Sequence, residues 1–291
     1  MSHKSGFVNI IGSPNVGKST LMNRLVGEKL SIITSKAQTT RHRILGIVNT
    51  DEYQVVFSDT PGVLDAHYKL HENMMRFVNS ALKDADVLLV MTDIFEQTMA
   101  HKETLERLQK TSIPIVVLIN KIDLGDQSKL EEKVAQWAEI LPKAEILPIS
   151  ALENFNVEMI WEKIISLIPV SPPYYEKDQL TDRPMRFFIS EIIREKIFEQ
   201  YKKEIPYSTQ VEIEEYKEEL KIVRIRAIIY VERKTQKGII IGHQGVKLKH
   251  VGIDSRKDIE KFIGKQVFLE MFVKVDENWR QNDNKLEKHG Y

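Results

Sequence analysis

The sequence predicts two domains in series, a doubly wound α/β domain followed by a small α+β domain. Three observations lead there. The chain has 291 residues, more than one core needs at a prior of roughly 150 residues per domain. From Gly6 to Ile168 short β-branched runs alternate with longer amphipathic stretches, the pattern of strands and helices that build a mostly parallel sheet covered on both faces. Pro169-Val170-Ser171-Pro172-Pro173-Tyr174-Tyr175 then breaks the alternation, because proline cannot continue a helix and favours extended backbone. The expected limits are 1–170 for the first domain, 171–183 for a linker, 184–282 for the second domain and 283–291 for a polar, frayed tail.

In the first domain the runs predict strands near Phe7–Ile11, Ile44–Asn49, Gln54–Ser58, Val87–Met91, Ile115–Ile119 and Ala144–Pro148. Helical patterns cover Ser19–Leu25, Leu70–Leu82, His101–Gln109, Lys129–Ile140 and Val157–Leu167. Ligand loops belong at the C-terminal ends of such strands. Beyond the break come a helix at Phe188–Tyr201, strands at Ser208–Tyr216 and Lys221–Val231, two helical segments around a glycine-bounded turn, and a strand at Gln266–Val275. Phe187, Phe188, Ile192, Ile193 and Ile197 fall on one helix face and are expected in the core.

Composition narrows the chemistry. There is no cysteine, which excludes disulfides, a thiol nucleophile and cysteine-ligated metals and fits a reducing compartment. Met1-Ser2-His3-Lys4-Ser5-Gly6 runs into a strand without the apolar stretch of a signal peptide, so a cytoplasmic protein is expected. Apolar runs such as Ile113–Ile119 and Val87–Met91 are far shorter than the roughly 20 residues that span a bilayer. A formal net charge of zero opposes a wholly basic nucleic-acid binder but hides local asymmetry.

Gly12-Ser13-Pro14-Asn15-Val16-Gly17-Lys18-Ser19 matches the phosphate-loop pattern between a strand and a helix. Glycine lets the backbone N–H groups of Asn15, Val16, Gly17 and Thr20 approach phosphates, the helix N-terminus adds its dipole, Lys18 reaches the β- and γ-phosphates and Ser19 ligates Mg²⁺. Asn120-Lys121-Ile122-Asp123 follows a strand and separates GTP from ATP. The Asp123 carboxylate pairs with the two adjacent donors of guanine and would be left unpaired by adenine, a discrimination of roughly 10⁴. Asp59-Thr60-Pro61-Gly62 places Asp59 to hold Mg²⁺ through water and the Gly62 N–H to meet the γ-phosphate. In Gln38-Thr39-Thr40-Arg41 a threonine hydroxyl would complete the Mg²⁺ shell in the triphosphate state, with Thr40 favoured over Thr39. Ser150-Ala151-Leu152 would bring the Ala151 N–H to guanine O6. Lys18, Thr40 and Gly62 are the residues expected to act on the transferring phosphoryl group. Val63 stands where a glutamine would orient the attacking water, so slow intrinsic hydrolysis is expected. Asp65 and His67 read as solvated loop residues.

These five elements, in this order, resemble the translation-factor-related GTPases. Pro14 to Thr20 with Gln38-Thr39-Thr40-Arg41-His42-Arg43 resembles the Era family over nearly the whole chain. The resemblance implies an α/β doubly wound P-loop GTPase domain followed by a small α+β KH-type (type II) domain. It implies a GTP-hydrolysing factor in assembly of the small ribosomal subunit that binds small-subunit ribosomal RNA near its 3′ end. With it come a monomer, a cytoplasmic location and a peripheral contact at the inner face of the cell membrane. Asn15 in the phosphate loop implies a K⁺ ion beside the β- and γ-phosphates. The alternative from another class is a non-catalytic, guanine-nucleotide-dependent scaffold for protein or membrane partners.

In the second domain Gly242-His243-Gln244-Gly245 places a Gly-x-x-Gly turn before a helix, resembling the turn with which KH domains clamp a single-stranded RNA backbone. From Lys221 to Lys265 the lysines and arginines are opposed only by Glu232, Asp254, Asp258 and Glu260, so the stretch is locally basic. Gly242, His243, Gln244, Gly245, Lys247 and Lys249 are the expected RNA contacts, whereas acidic Glu212–Glu219 is expected to face away from RNA.

Overall fold

In the computed structural model, residues 3–97, 99 and 101–291 are described. Met1 and Ser2, part of the N-terminal segment read above, lie outside them. The strands of the first domain form where the β-branched runs lie: β1 (Lys4–Gly12), β2 (Ile44–Asn49), β3 (Tyr53–Asp59), β4 (Val87–Asp93), β5 (Ile115–Asn120) and β6 (Glu145–Pro148). The intervening helices are α1 (Lys18–Val26), α2 (Lys69–Lys83), α3 (Lys102–Lys110), α4 (Gln127–Ile140) and α5 (Val157–Leu167). The sheet runs β2-β3-β1-β4-β5-β6, parallel except for β2 against β3. β4 is buried along its whole length, as a strand covered on both faces must be. The reversal of strand order beside β1 opens a crevice at the strands' C-terminal ends, where Gly12, Asp59 and Asn120 lie.

The chain divides into two compact units, the first ending at Asp182 apart from Tyr68–Leu70, which group with Arg183–Tyr291 in the second. This corrects the expected linker at 171–183, most of which packs on the first unit. β2 is an edge strand, and its outward N–H groups need acceptors. Leu180 O accepts from Ile47 N (2.8 Å) and Asp182 Oδ1 from Leu45 N (3.3 Å). Buried Gln54 holds the same segment, donating to Tyr175 O (2.9 Å) and accepting from the Tyr174 and Tyr175 N–H groups at 2.7 and 3.0 Å. The prolines make the segment extended, and the strand edge captures it.

The second unit is built from α6 (Met185–Gln200), β7 (Gln210–Glu218), β8 (Ile222–Val231), α7 (Lys234–Ile241), α8 (Val246–Ile263), β9 (Gln266–Val275) and α9 (Asp283–Lys288). Its sheet runs β7-β8-β9, with β8 antiparallel to β7 and parallel to β9. Ile189, Ile193 and Ile197 of α6 pack on Val223, Ile225 and Ile229 of β8 and on Val251 and Ile259 of α8. Phe187, placed in the core by its spacing, is only partly buried and lies between the Phe188 ring and the Arg183 guanidinium.

The expected frayed tail is also corrected. Residues 283–291 form α9 and a return that buries Leu286 completely. Tyr291 donates its hydroxyl to Gln210 Oε1 (2.8 Å) and lies beside Trp279, whose indole N–H donates to Ser208 O (3.0 Å). Three aromatic rings, Trp279, His289 and Tyr291, supply burial that the polar residues around them disguise in the sequence.

Candidate functional site

The loop from β1 to α1 turns because Asn15 and Gly17 take positive φ (65° and 105°). Gly17 is required on two counts: its φ suits glycine, and a Cβ there would stand 2.3 Å from Asn120 Nδ2. At Gly12 a Cβ would meet the Met91 carbonyl oxygen at 2.1 Å. The backbone N–H groups that begin α1 have no intrahelical acceptor, which makes this turn an anion site.

Lys18 is buried, and its ammonium donates to the carbonyls of Gly12 (3.0 Å) and Ser13 (2.7 Å). Burial lowers its pKa from 10.5 to about 8, against the opposing fields of Asp59 and Glu96. Asp59, at the end of β3, has no exposed surface, and burial raises its pKa above the usual carboxylate value despite Ser19 and Lys18. Its Oδ2 accepts from Ser19 Oγ (2.7 Å) and Thr40 Oγ1 (3.5 Å), and the two hydroxyls are 2.9 Å apart. Its Oδ1 is buried and accepts no hydrogen bond. Two hydroxyls beside a carboxylate with an unpartnered oxygen form a hard-oxygen donor set that suits Mg²⁺. Among the described residues no cluster of three His, Cys, Asp or Glu side chains offers a rival metal site.

Thr39 and Thr40 both line the same cavity, but their hydroxyls have different partners. Thr39 Oγ1 donates to Lys36 O (2.7 Å) and lies 2.6 Å from Thr34 Oγ1, within its own loop, while Thr40 joins Ser19 and Asp59. Gly62 lies against Pro14 so closely that a Cβ would come within 2.7 Å of its ring, and the next N–H, of Val63, donates to Gly12 O (3.0 Å). The Val63 side chain is buried among Met75, Val78 and Leu88, whereas Asp65 and His67 are exposed.

A cavity of about 340 Å³ joins these groups to the second motif. Asn15, Gly17, Lys18, Ser19, Thr20, Thr40, Gly62, Asn120, Lys121, Asp123 and Ser150 line it. Val16, Asp59 and Ala151 are buried and do not. Asp123 sits exposed on a single 3₁₀ turn after β5. Lys121, at φ 61°, sends its ammonium to Asp93 Oδ2 (2.6 Å), which sets its stem along the cavity wall. Asn120 is a cross-link: Nδ2 donates to Val16 O (2.8 Å) and Oδ1 accepts from Ala151 N (2.9 Å). The Ala151 N–H, expected at guanine O6, donates to Asn120 here, and Asn120 thereby ties the phosphate loop to the Ser150 loop.

The sequence reading missed the apolar rim of the cavity, Ile33, Leu124 and Leu152. Leu124 and Leu152 are 63% and 65% exposed, an arrangement suited to the faces of a planar base. The only signal was their position beside the motifs, since an exposed leucine is ordinary.

In the second unit Gly242, Gln244 and Gly245 all take positive φ (70°, 48° and 77°), so the chain reverses tightly between α7 and α8. A Cβ at Gly242 would strike the Lys247 side chain at 2.7 Å, whereas one at Gly245 would meet nothing within 4 Å. His243 and Gln244 are exposed on the turn. A groove starts at Gly245 and runs along Leu248, Lys249, Gly252, Ile253 and Arg256 of α8, with Val267, Phe268, Leu269 and Met271 of β9 as its other wall. Lys247 does not line it, and its ammonium stands 6.0 Å over the Tyr201 ring. The β9 wall and Arg256 were not foreseen as site residues, because strand–helix proximity across the unit leaves no local pattern.

A phosphate loop, a buried hydroxyl–carboxylate cluster and an Asn-Lys-x-Asp turn around one cavity define a P-loop GTPase, here followed by a KH domain. A family model described as "50S ribosome-binding GTPase" matches residues 7–121, and one described as "KH domain" matches residues 204–280. The chain is 45% identical to GTPase Era of Geotalea uraniireducens (strain Rf4) over 291 residues, 99% of this chain and 98% of that protein. It is 42% identical to GTPase Era of Thermoanaerobacter sp. (strain X514) over 294 residues, 100% of this chain and 97% of that one. Among solved structures, Era in complex with MgGDPNP and nucleotides 1506–1542 of 16S ribosomal RNA is similar at 37% identity and a TM-score of 0.94, with 99% of both chains covered. The chain belongs to the Era family of GTPases.

The buried ammonium carries a pH signature. Because the pKa of Lys18 falls from 10.5 to about 8 on folding, the unfolded chain holds this proton more tightly. The resulting cost is full below pH 8 and disappears as pH rises toward 10.5. Lys18→Met should therefore stabilise the nucleotide-free protein by about 3 kcal/mol at neutral pH, with the gain shrinking above pH 8. Urea unfolding of both proteins at pH 7 and pH 10 checks this. A variant less stable at pH 7, or with a gain that does not shrink, contradicts it.

Proposed function

We propose that the first unit hydrolyses GTP, and that the second binds single-stranded small-subunit ribosomal RNA near its 3′ end, making the chain an assembly factor of the small ribosomal subunit. The observation that carries the reading is the single cavity with the Lys18–Ser19–Thr40–Asp59 cluster at one end and Asp123 at the other. The similar Era structure, which holds MgGDPNP and a 16S fragment, supports both halves.

In this reading the N–H groups of Asn15, Val16, Gly17 and Thr20 and the Lys18 ammonium hold the phosphates. The Ser19 and Thr40 hydroxyls and the Asp59 carboxylate would hold Mg²⁺, which would neutralise charge on the phosphates. The Gly62 N–H meets the γ-phosphate and stabilises charge as the bond to the leaving oxygen lengthens. Water is the nucleophile, and residue 63 takes no part in placing it because its side chain belongs to the core. Asp123 pairs with guanine, Lys121 and the leucine rim flank the base, and Asn120, Ser150 and Ala151 hold the cavity walls together. Asn15 donates its amide to Ser35 O (3.2 Å), which leaves the carboxamide oxygen for a K⁺ ion beside the phosphates. Equal turnover in K⁺ and Na⁺ would remove the ion from the mechanism.

RNA enters at Gly245, where no atom stands within 4 Å of a would-be Cβ, and follows the groove between α8 and β9. Lys249 and Arg256 track phosphates there, His243 and Gln244 contact the strand at the turn, and Lys247 contributes only long-range charge. The chain acts as a cytoplasmic monomer, and among the described residues no helix is long and apolar enough to cross a membrane.

Two substitutions separate the halves. Asp123→Asn should weaken GTP and favour xanthosine triphosphate, whose carbonyl replaces the guanine amine, while RNA affinity is unchanged. Gly245→Asp should lower RNA affinity sharply by placing a carboxylate where phosphate approaches, at unchanged GTP affinity. Lys249→Ala should also flatten the salt dependence of RNA binding by about one unit of slope, with a smaller change for Lys247→Ala. Fluorescence anisotropy with nucleotide and with a 16S 3′-end fragment reads all four. Unchanged GTP affinity in Asp123→Asn removes the base assignment, and wild-type RNA affinity in folded Gly245→Asp removes the RNA site.

A further inference from the structure

Residues 31–43, between α1 and β2, have no regular secondary structure, yet they place the Thr40 hydroxyl 2.9 Å from Ser19 Oγ. An irregular strap keeps such a position only if its ends are pinned. The entry is pinned by Asn23 of α1, whose Oδ1 accepts from Leu30 N (3.0 Å) and Ser31 N (2.9 Å) and whose Nδ2 donates to Ser31 O (2.7 Å). The exit is pinned by Arg43. Its Nε donates to Ser58 Oγ (2.7 Å), Nη1 to Ser80 Oγ (3.0 Å) and Asp84 Oδ2 (2.5 Å), and Nη2 to Asp84 Oδ1 (3.0 Å) and Asn9 Oδ1 (3.3 Å).

The partners matter more than their number. Ser58 immediately precedes Asp59 on β3, Asn9 lies on β1 just before the phosphate loop, Ser80 lies near the end of the helix that follows the Gly62 loop, and Asp84 comes immediately after that helix. Asn9 in turn donates to Ala81 O (2.6 Å) and Asp84 Oδ1 (2.8 Å), so the cluster is one network. A simple stabilising ion pair would need only Asp84. The planar fork of arginine reaches all three elements at once, a geometry that a lysine point charge does not reproduce.

We propose that Arg43 is a positioning residue for GTP hydrolysis: it fixes the exit of the strap so that Thr40 stays with Ser19 and Asp59, and it couples that placement to α2. The proposal rests on the reading of Thr40 as a group engaged in the triphosphate state. GDP makes no demand on Thr40, so loss of Arg43 should penalise the GTP state and spare the GDP state. A residue that only stabilised the fold would weaken both alike.

The test uses the full chain with Arg43→Gln, Arg43→Lys, Asp84→Asn and Thr40→Ala. Affinity is measured for GDP and for a non-hydrolysable GTP analogue, and single-turnover hydrolysis is followed across a Mg²⁺ titration. Arg43→Gln should keep GDP affinity within about twofold, weaken the analogue about tenfold and raise the Mg²⁺ needed for half-maximal hydrolysis about tenfold. Arg43→Lys should recover part of that loss, and Asp84→Asn, which leaves Arg43 in place, should show the same pattern more weakly. Equal loss of GDP and analogue affinity in Arg43→Gln and Asp84→Asn would overturn the proposal, as would an unchanged analogue affinity and Mg²⁺ requirement. If Thr40→Ala leaves the analogue unaffected, the triphosphate reading falls and the proposal with it. If Thr40→Ala weakens the analogue while Arg43→Gln does not, only the proposal falls.

Discussion

The nucleotide site is built around a carboxylate that water does not reach. Asp59 ends β3 with no exposed surface, one oxygen bound by hydroxyls and the other unpartnered. A carboxylate in that position costs stability, and the Lys18 ammonium buried nearby adds a cost of its own, because its donors go to carbonyls rather than to Asp59. Folding alone gives no reason to keep either charge. A polyphosphate with a divalent cation offsets both at once, which ties ligand binding to the stability of the first unit.

That constraint organises the surroundings. Thr40 and Gly62 lie on irregular segments, and each is brought to the cluster by contacts made elsewhere: the Arg43 fork for one, the close seat on Pro14 for the other. At the far end of the cavity Asn120 performs the corresponding task, joining the phosphate loop to the Ser150 loop through its two amide atoms. The KH groove follows different physics. It is open, its turn depends on positive φ rather than buried charge, and its cations are exposed.

The strands and helices were legible because their apolar periods are strong, and the nucleotide motifs because each pairs a residue type with a strand end. Thr40 was favoured over Thr39 in sequence, and in the structure its hydroxyl is the one that lies beside Ser19 and Asp59. What escaped the sequence was the use of long-range partners. A proline-rich segment reads as linker whether or not an edge strand needs acceptors, as β2 does from Leu180 and Asp182. A short polar tail conceals that Leu286 and Tyr291 fill the second unit. Lys247 and Lys249 are indistinguishable as letters, yet the turn at Gly242 sends one toward Tyr201 and the other into the groove. The Ala151 N–H and the Asn120 amide satisfy each other, which no motif records.

The central claim, that the Asp59 charge is held at the expense of the fold and offset by the metal-bound nucleotide, is tested by the unfolding temperature of Asp59→Asn against the native chain. Each is melted at neutral pH without ligand and again with a non-hydrolysable GTP analogue and Mg²⁺. Because burial raises the Asp59 pKa, the ionised group costs stability above the ordinary carboxylate range, and the neutral amide removes that cost. The variant should therefore melt higher than the native chain without ligand and gain little from Mg²⁺ with the analogue, while the native chain gains strongly and overtakes it. A variant that melts lower without ligand, yet gains as much as the native chain from Mg²⁺ and the analogue, would contradict the account.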